Sequence, residues 1–163
     1  MARIINNRDP QLDVSGNYAS FYEREYYVFS NFSSFQVFWR GRLWPTVEHA
    51  YQASRFYGVS DELYERCFYA RSAHEAYRIM QDNRDKERPD WMNEKRDVMY
   101  EICREKLRQN PYVAQQLAKT GAMVIVEDSP TDSFWGWGPD RQGHNELGKI
   151  WMKLREEMNA GRL

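Results

Sequence analysis

Residues 127–148 read EDSPTDSFWGWGPDRQGHNELG and follow neither a helical nor a strand period. Before them stands a short strand-like run, Met123 to Val126. After them comes a helical pattern with Leu147, Ile150, Trp151, Leu154 and Met158 on one face. The intervening Trp and Phe residues argue against disorder, because a solvated tail wastes their apolar area. A built loop is therefore expected, and loops of this length on a scaffold are commonly functional. Its rings and carboxylates suit a flat ligand that carries a sugar.

Outside this loop, short aromatic runs give way to a series of capped helices. Residues 6–17 read as a polar loop. YASFY (18–22) and YYVFSNF (26–32) look like short strands, rich in Tyr, Phe and Val. FQVFWRGRLW (35–44) resembles a hairpin turning at Arg40-Gly41. Pro45 stops that strand, and Thr46 can cap a helix running to about Tyr57. Ser60 can cap the next, and Ser72 with Glu75 forms a capping box for a third. Asp90 precedes a long helix to about Arg108 with Val98, Met99, Ile102, Cys103 and Leu107 inward. Asn110-Pro111 starts another that Gly121 ends. Asn145 is read as the cap of the last helix.

The expected fold is thus α+β: a compact, mostly helical single domain over 1–163, with its core at about 18–158 and a small antiparallel sheet. At 163 residues the chain can bury one adequate core. A net charge of −1 gives no global basic field of the kind that advertises nucleic-acid binding. Arg outnumbers Lys, which suits bidentate contacts to phosphate or carboxylate. Cys67 and Cys103 fall within helical patterns and read as buried, reduced thiols. No signal peptide and no bilayer-length apolar run is visible, so a cytoplasmic protein without membrane contact is expected.

Two constellations carry chemistry. In WPTVEHAYQASRF (44–56), Glu48, Gln52 and Arg55 recur at i, i+4 and i+7 on one helical face, with Tyr51 at its border. An acid, an amide and a guanidinium in a row can hold a ribose and a phosphate. The same carboxylate also stabilises the helix dipole by ~0.3–1 kcal/mol with no chemistry involved. His49 lacks the second His of an HExxH pair, since positions 45 and 53 are Pro and Ala, so no metal is expected. In the loop, Asp132 stands near Trp135 and Gly136, and a carboxylate beside such a site can stabilise an oxocarbenium-like centre. A purely structural Ω-loop with Trp residues at the core edge is the competing reading. A third cluster, RPDWMNEKRDVM (88–99), offers Arg88, Trp91, Lys95 and Arg96 as further lining.

Together these pieces resemble the NADAR family, the NAD- and ADP-ribose-associated domains. The resemblance rests on FSNF (29–32), WPTVEHAYQASRF, RPDW with Val98-Met99, and SPTDSFWGWG followed by GHNELG, and it spans about residues 18–158. It implies a mostly helical α+β fold and N-glycosidase chemistry, with no cofactor. The implied substrates are ribosylaminopyrimidine phosphates of riboflavin synthesis or ADP-ribose on guanine, so a nucleic acid could enter as an ADP-ribosylated substrate. It implies Glu48 and Asp132 as catalytic acids flanking the ribose. Asn31, Tyr51, Gln52, Arg55, Trp91, Arg96, Trp135, Gly136 and Asn145 fall to substrate binding. One departure stands out: Arg55 occupies a helix position where many members carry Lys. A guanidinium stays protonated and is a poor nucleophile, which leaves two alternatives, carboxylate-only catalysis or a non-catalytic ADP-ribose-binding module.

Overall fold

The computed structural model describes residues 18–22 and 24–163. Its contacts divide the chain into two compact units, Asn31–Gln109 and Met1–Ser30 with Asn110–Leu163. The polar loop expected at 6–17 lies outside the described residues.

In the first unit a hairpin leads into a helical cluster. Strands β1 (Val37–Trp39) and β2 (Arg42–Trp44) pair antiparallel, with Val37 opposite Trp44 and Phe38 opposite Leu43. Arg40 (φ 47°) and Gly41 (φ 79°) are both left-handed, the backbone that a two-residue turn needs to match strand twist. Alternation buries Val37, Trp39 and Trp44 and leaves Phe38 and Leu43 exposed. The outer edge of β1 does not stay open. The Gln109 amide accepts from Phe38 N (2.7 Å) and donates to its carbonyl (2.8 Å), imitating a third strand.

Helix α1 (Val47–Ser54) follows, with the Thr46 side chain accepting from His49 N at 3.3 Å. It ends three residues short of the expected Tyr57. Helices α2 (Asp61–Phe68), α3 (Ala73–Asp82) and α4 (Trp91–Gln109) all pack on this unit's core, and α1 contacts each of them. Ser60 and Ser72 cap α2 and α3 as expected. Glu75 reaches one residue past the box partner and accepts from Arg71 N. The apolar stripe of α4 is buried as its spacing predicts, and it carries an unexpected member, Lys106.

In the second unit β3 (Tyr18–Phe21) pairs with β4 (Val124–Glu127) in parallel, Tyr18 opposite Val124 and Phe21 opposite Glu127. The sheet is therefore two separate pairs, one antiparallel and one parallel. A parallel pair needs a long crossover, and here the whole first unit lies between the two strands in sequence. Helix α5 (Pro111–Lys119) closes at Gly121 (φ 53°), and α6 (Glu146–Asn159) buries Leu147, Ile150, Trp151 and Leu154.

The segment expected as a strand at 26–32 is instead a 3-10 turn over Arg24–Phe29. In that geometry residues i and i+3 eclipse, and Tyr26 stacks on Phe29 with centroids 6.1 Å apart and planes 8° from parallel. Phe29 in turn packs on Trp151 at 5.1 Å, and the Trp151 indole donates to its carbonyl at 3.0 Å. Ring packing, not strand pairing, uses these aromatics.

Candidate active site

Helix α1 is the unusual element of the first unit. Its sequence VEHAYQAS contains Glu, His, Gln and Ser, yet all eight residues are buried. A helix of such polarity is ordinarily a surface element, because each buried polar group must be paired or it costs stability. Two of the four polar side chains settle this locally. Ser54 Oγ donates to Ala50 O at 2.7 Å, and His49 bridges Thr46 Oγ1 (2.8 Å) and Ala70 O (3.0 Å). Burial lowers the His49 pKa, so its imidazole is a neutral structural link.

Glu48 and Gln52 form the other pair. Glu48 is 3% exposed and Gln52 2%, and Gln52 Nε2 donates to Glu48 Oε1 at 2.7 Å. Their i, i+4 spacing makes this contact, and the chain before the helix secures it: Glu48 N donates to Asn31 O at 3.1 Å. One turn on, Arg55 donates to Glu87 at 2.7 Å, and its guanidinium lies 5.4 Å from the Tyr51 ring and 5.2 Å from that of Trp91. Tyr51 and Trp91 contact each other at 5.1 Å, and Trp91, the first residue of α4, is fully buried.

Among the described residues, Asn31 Oδ1, Gln52 Oε1, Arg55 Nε and Trp91 Nε1 are buried polar atoms that find no hydrogen-bond partner. Each such atom costs about 1–3 kcal/mol in a folded protein unless a ligand or solvent satisfies it. All four belong to residues that the sequence had already singled out. Two are acceptors and two are donors.

Other members of the RPDW cluster divide differently. Arg88 donates to Ser54 O (3.0 Å) and pairs with Asp90 (3.0 Å) and Glu94 (2.7 Å), which makes it a strut between α1 and α4. Arg96 is exposed on α4. Cys67 and Cys103 are both buried thiols, and burial pushes the Cys67 thiol up to about 12. Lys106 escaped the sequence reading. It is fully buried, its ammonium donates to Ser33 Oγ at 2.8 Å, and burial pulls its pKa down to about 7. Its place among Met99, Ile102 and Cys103 on one helical face was the available signal. Among the described residues, no three of His, Cys, Asp or Glu gather as a metal site requires. No helix among them is long and apolar enough to cross a membrane.

The second unit holds the acidic aromatic loop. Asp132 Oδ1 accepts from Phe134 N and Trp135 N, both at 2.8 Å, while Asp132 N donates to Ser129 Oγ at 2.9 Å. One carboxylate oxygen thus shapes the turn that presents Trp135. Carbonyls of 133–137 accept from amides of 143–147, as in His144 N to Ser133 O (2.8 Å) and Leu147 N to Trp135 O (3.0 Å). The loop is a closed, hydrogen-bonded body, as an Ω-loop is. Trp135 is half-buried and edge-on to Phe134 at 4.8 Å. Trp137 donates from its indole Nε1 to Asp128 Oδ1 at 2.6 Å.

Two expected binding residues have evident work inside this loop. A Cβ on Gly136 would meet the Glu127 carbonyl oxygen at 2.6 Å, so glycine is needed for the loop's own closure on β4. Asn145 makes no side-chain cap. It sits in the left-handed region (φ 52°), accepts from Glu127 N and donates to Ile125 O, both at 2.9 Å. It brackets the β4 backbone at the start of α6.

Comparison with known proteins follows the same lines. The NADAR domain matches residues 20–159. The chain is 40% identical over 129 residues to a riboflavin biosynthesis protein of Vibrio vulnificus, covering 79% of this chain but only 35% of that protein's length. It is 38% identical over 134 residues to an N-glycosidase of Nostoc punctiforme, covering 82% of this chain and 86% of the relative. The NMR structure of the Escherichia coli protein YbiA superposes with a TM-score of 0.82 at 28% identity, covering 97% of this chain and 95% of that one.

Proposed function

This chain belongs to the NADAR domain family, and from that premise we propose that it is an N-glycosidase acting on a small-molecule riboside. It hydrolyses the bond between ribose C1 and a nitrogen: water supplies hydroxide to C1, and its remaining proton goes to the leaving nitrogen. A ribosylaminopyrimidine phosphate is the favoured substrate, in keeping with the riboflavin biosynthesis relative. The net charge of −1 speaks for this small metabolite over an ADP-ribosylated guanine in nucleic acid. The reading takes the activity to be cytoplasmic and independent of cofactor and metal.

The observation that carries the proposal is the buried Glu48–Gln52 pair, set among four unpartnered polar atoms. As the C1–N bond breaks, positive charge develops on the ribose, and a carboxylate held in a low-dielectric surround stabilises it strongly. Glu48 supplies one such carboxylate and Asp132 is assigned as the second. Asp132 Oδ2 takes no hydrogen bond from the described residues, which leaves that oxygen for chemistry. Between them the acids activate water and protonate the leaving nitrogen. Arg55 holds phosphate and forms no covalent intermediate, since its guanidinium remains charged. Tyr51 and Trp91, with Trp135, offer aromatic surface to the base, and Asn31, Gln52, Arg96, Gly136 and Asn145 complete the assigned binding set.

The test is hydrolysis by Glu48→Gln and Asp132→Asn variants that remain folded, with released base measured by mass spectrometry. Each is expected to lose about 10²–10⁴-fold in rate. Wild-type rates in both would defeat the assignment. Supplying the ribosylaminopyrimidine phosphate, ADP-ribosylated guanosine and NAD in parallel identifies the substrate. Tight ADP-ribose binding with no turnover of any of them would instead mean a binding module.

A further inference from the structure

The Glu48–Gln52 contact has a chemical consequence for the far end of the amide. Gln52 Nε2 donates to Glu48 Oε1 at 2.7 Å, and a carboxylate accepts only from the amide's nitrogen. With Glu48 ionised, the flip of the amide is determined, and Oε1 is the outer atom. That oxygen is buried, accepts nothing from the described residues, and belongs to a residue only 2% exposed. It can never act as a donor. A buried group with one fixed hydrogen-bonding sense discriminates between ligands that satisfy it and those that do not.

We propose that Gln52 is a specificity-determining residue whose Oε1 accepts a hydrogen from the substrate, while its Nε2 keeps Glu48 oriented. The inference rests on Glu48 acting at the ribose, and it adds the demand that the substrate carry a donor beside that carboxylate. Two groups of a ribosylaminopyrimidine have this chemistry, a ribose hydroxyl and an exocyclic amine on the base. The hydroxyl is favoured, because Gln52 touches the carboxylate assigned to the sugar. A substrate lacking the donor leaves Oε1 buried and unpaired in the complex, whereas the intact substrate fills it.

The experiment measures kcat/KM for three substrates: the ribosylaminopyrimidine phosphate, its 2′-deoxy counterpart and its counterpart without the exocyclic amine. Wild type is expected to disfavour one counterpart by about 10²-fold or more, the 2′-deoxy one if the hydroxyl is the donor. Gln52→Leu removes the acceptor and should compress that ratio to within about threefold. Gln52→Glu keeps an acceptor oxygen, so it should retain the discrimination. Its pH–rate profile should also move, because two carboxylates in contact share a proton. If Gln52→Leu slows all three substrates alike and leaves the ratios at wild-type values, Gln52 is only a support and the proposal falls. A Glu48→Gln variant run alongside separates the two readings, since unimpaired hydrolysis there sinks the assignment of Glu48 whatever Gln52 does.

Discussion

Replacing Asn145 by alanine is expected to destabilise the protein by about 3 kcal/mol. The side chain makes two hydrogen bonds to the β4 backbone, from Glu127 N and to Ile125 O, each at 2.9 Å. Deleting it strands a peptide N–H and a carbonyl in a part-buried place, at about 1–3 kcal/mol apiece, with solvent recovering some of this. Alanine must also adopt the left-handed backbone that Asn145 occupies at φ 52°, adding about 1 kcal/mol. For a chain of this length, 1 kcal/mol moves Tm by about 2–4 °C, so a fall of roughly 6–12 °C is expected. Asn145→Gly relieves the backbone term and should recover about 1 kcal/mol. Asn145→Asp keeps the acceptor and loses the donor, placing it between parent and alanine. Urea denaturation and thermal melting measure all three. An alanine variant that melts within about 1 °C of the parent would refute the bracket. Parent stability combined with lost substrate binding would leave Asn145 its assigned substrate contact and no structural one.

Two further predictions concern the first unit. Lys106 titrates near 7 in the fold against an ordinary 10.5, so the folded state holds fewer protons than the unfolded chain between those values. Stability is therefore full above about pH 10.5 and is lost as pH falls toward 7, a span of roughly 5 kcal/mol at ~1.4 kcal/mol per pH unit. Lys106→Met should be more stable than the parent at pH 7 by about 2–4 kcal/mol, less the bond to Ser33, with the advantage shrinking by pH 10. A difference that stays constant across denaturation curves from pH 6.5 to 10 would contradict this. Trp91→Phe deletes an indole N–H that has no partner among the described residues, so its stability cost should be under about 1.5 kcal/mol. Its cost should appear in KM for the riboside, and an unchanged KM would remove that N–H from the site.

Much of the secondary structure was legible because it is decided locally. Thr46, Ser60 and Ser72 cap helices through their own neighbours' amides, and Arg40-Gly41 sets a turn by its own torsions. The i, i+4 spacing of Glu48 and Gln52 likewise foretold their contact, since helical geometry alone brings them together. What failed was whatever depended on distant partners. YYVFSNF has strand-like composition, yet Trp151, far along the chain, engages Phe29 and a 3-10 turn results. The pairing of β3 with β4 has no signature near either strand, since it joins Tyr18 to Val124.

Composition and spacing alone thus determined the α+β class, the helix starts and the row of acid, amide and guanidinium on α1. Tertiary structure decided what those groups are worth. It buried a polar helix on every side, left Gln52 Oε1 and Trp91 Nε1 without partners among the described residues, turned Arg88 into a strut and made Asn145 a bracket. The physical reason is that periodicity reports which residues share a face, whereas burial and pairing depend on what packs against it. A polar side chain carries the same letter in water as in a core, and only the packed chain reveals the cost of its desolvation.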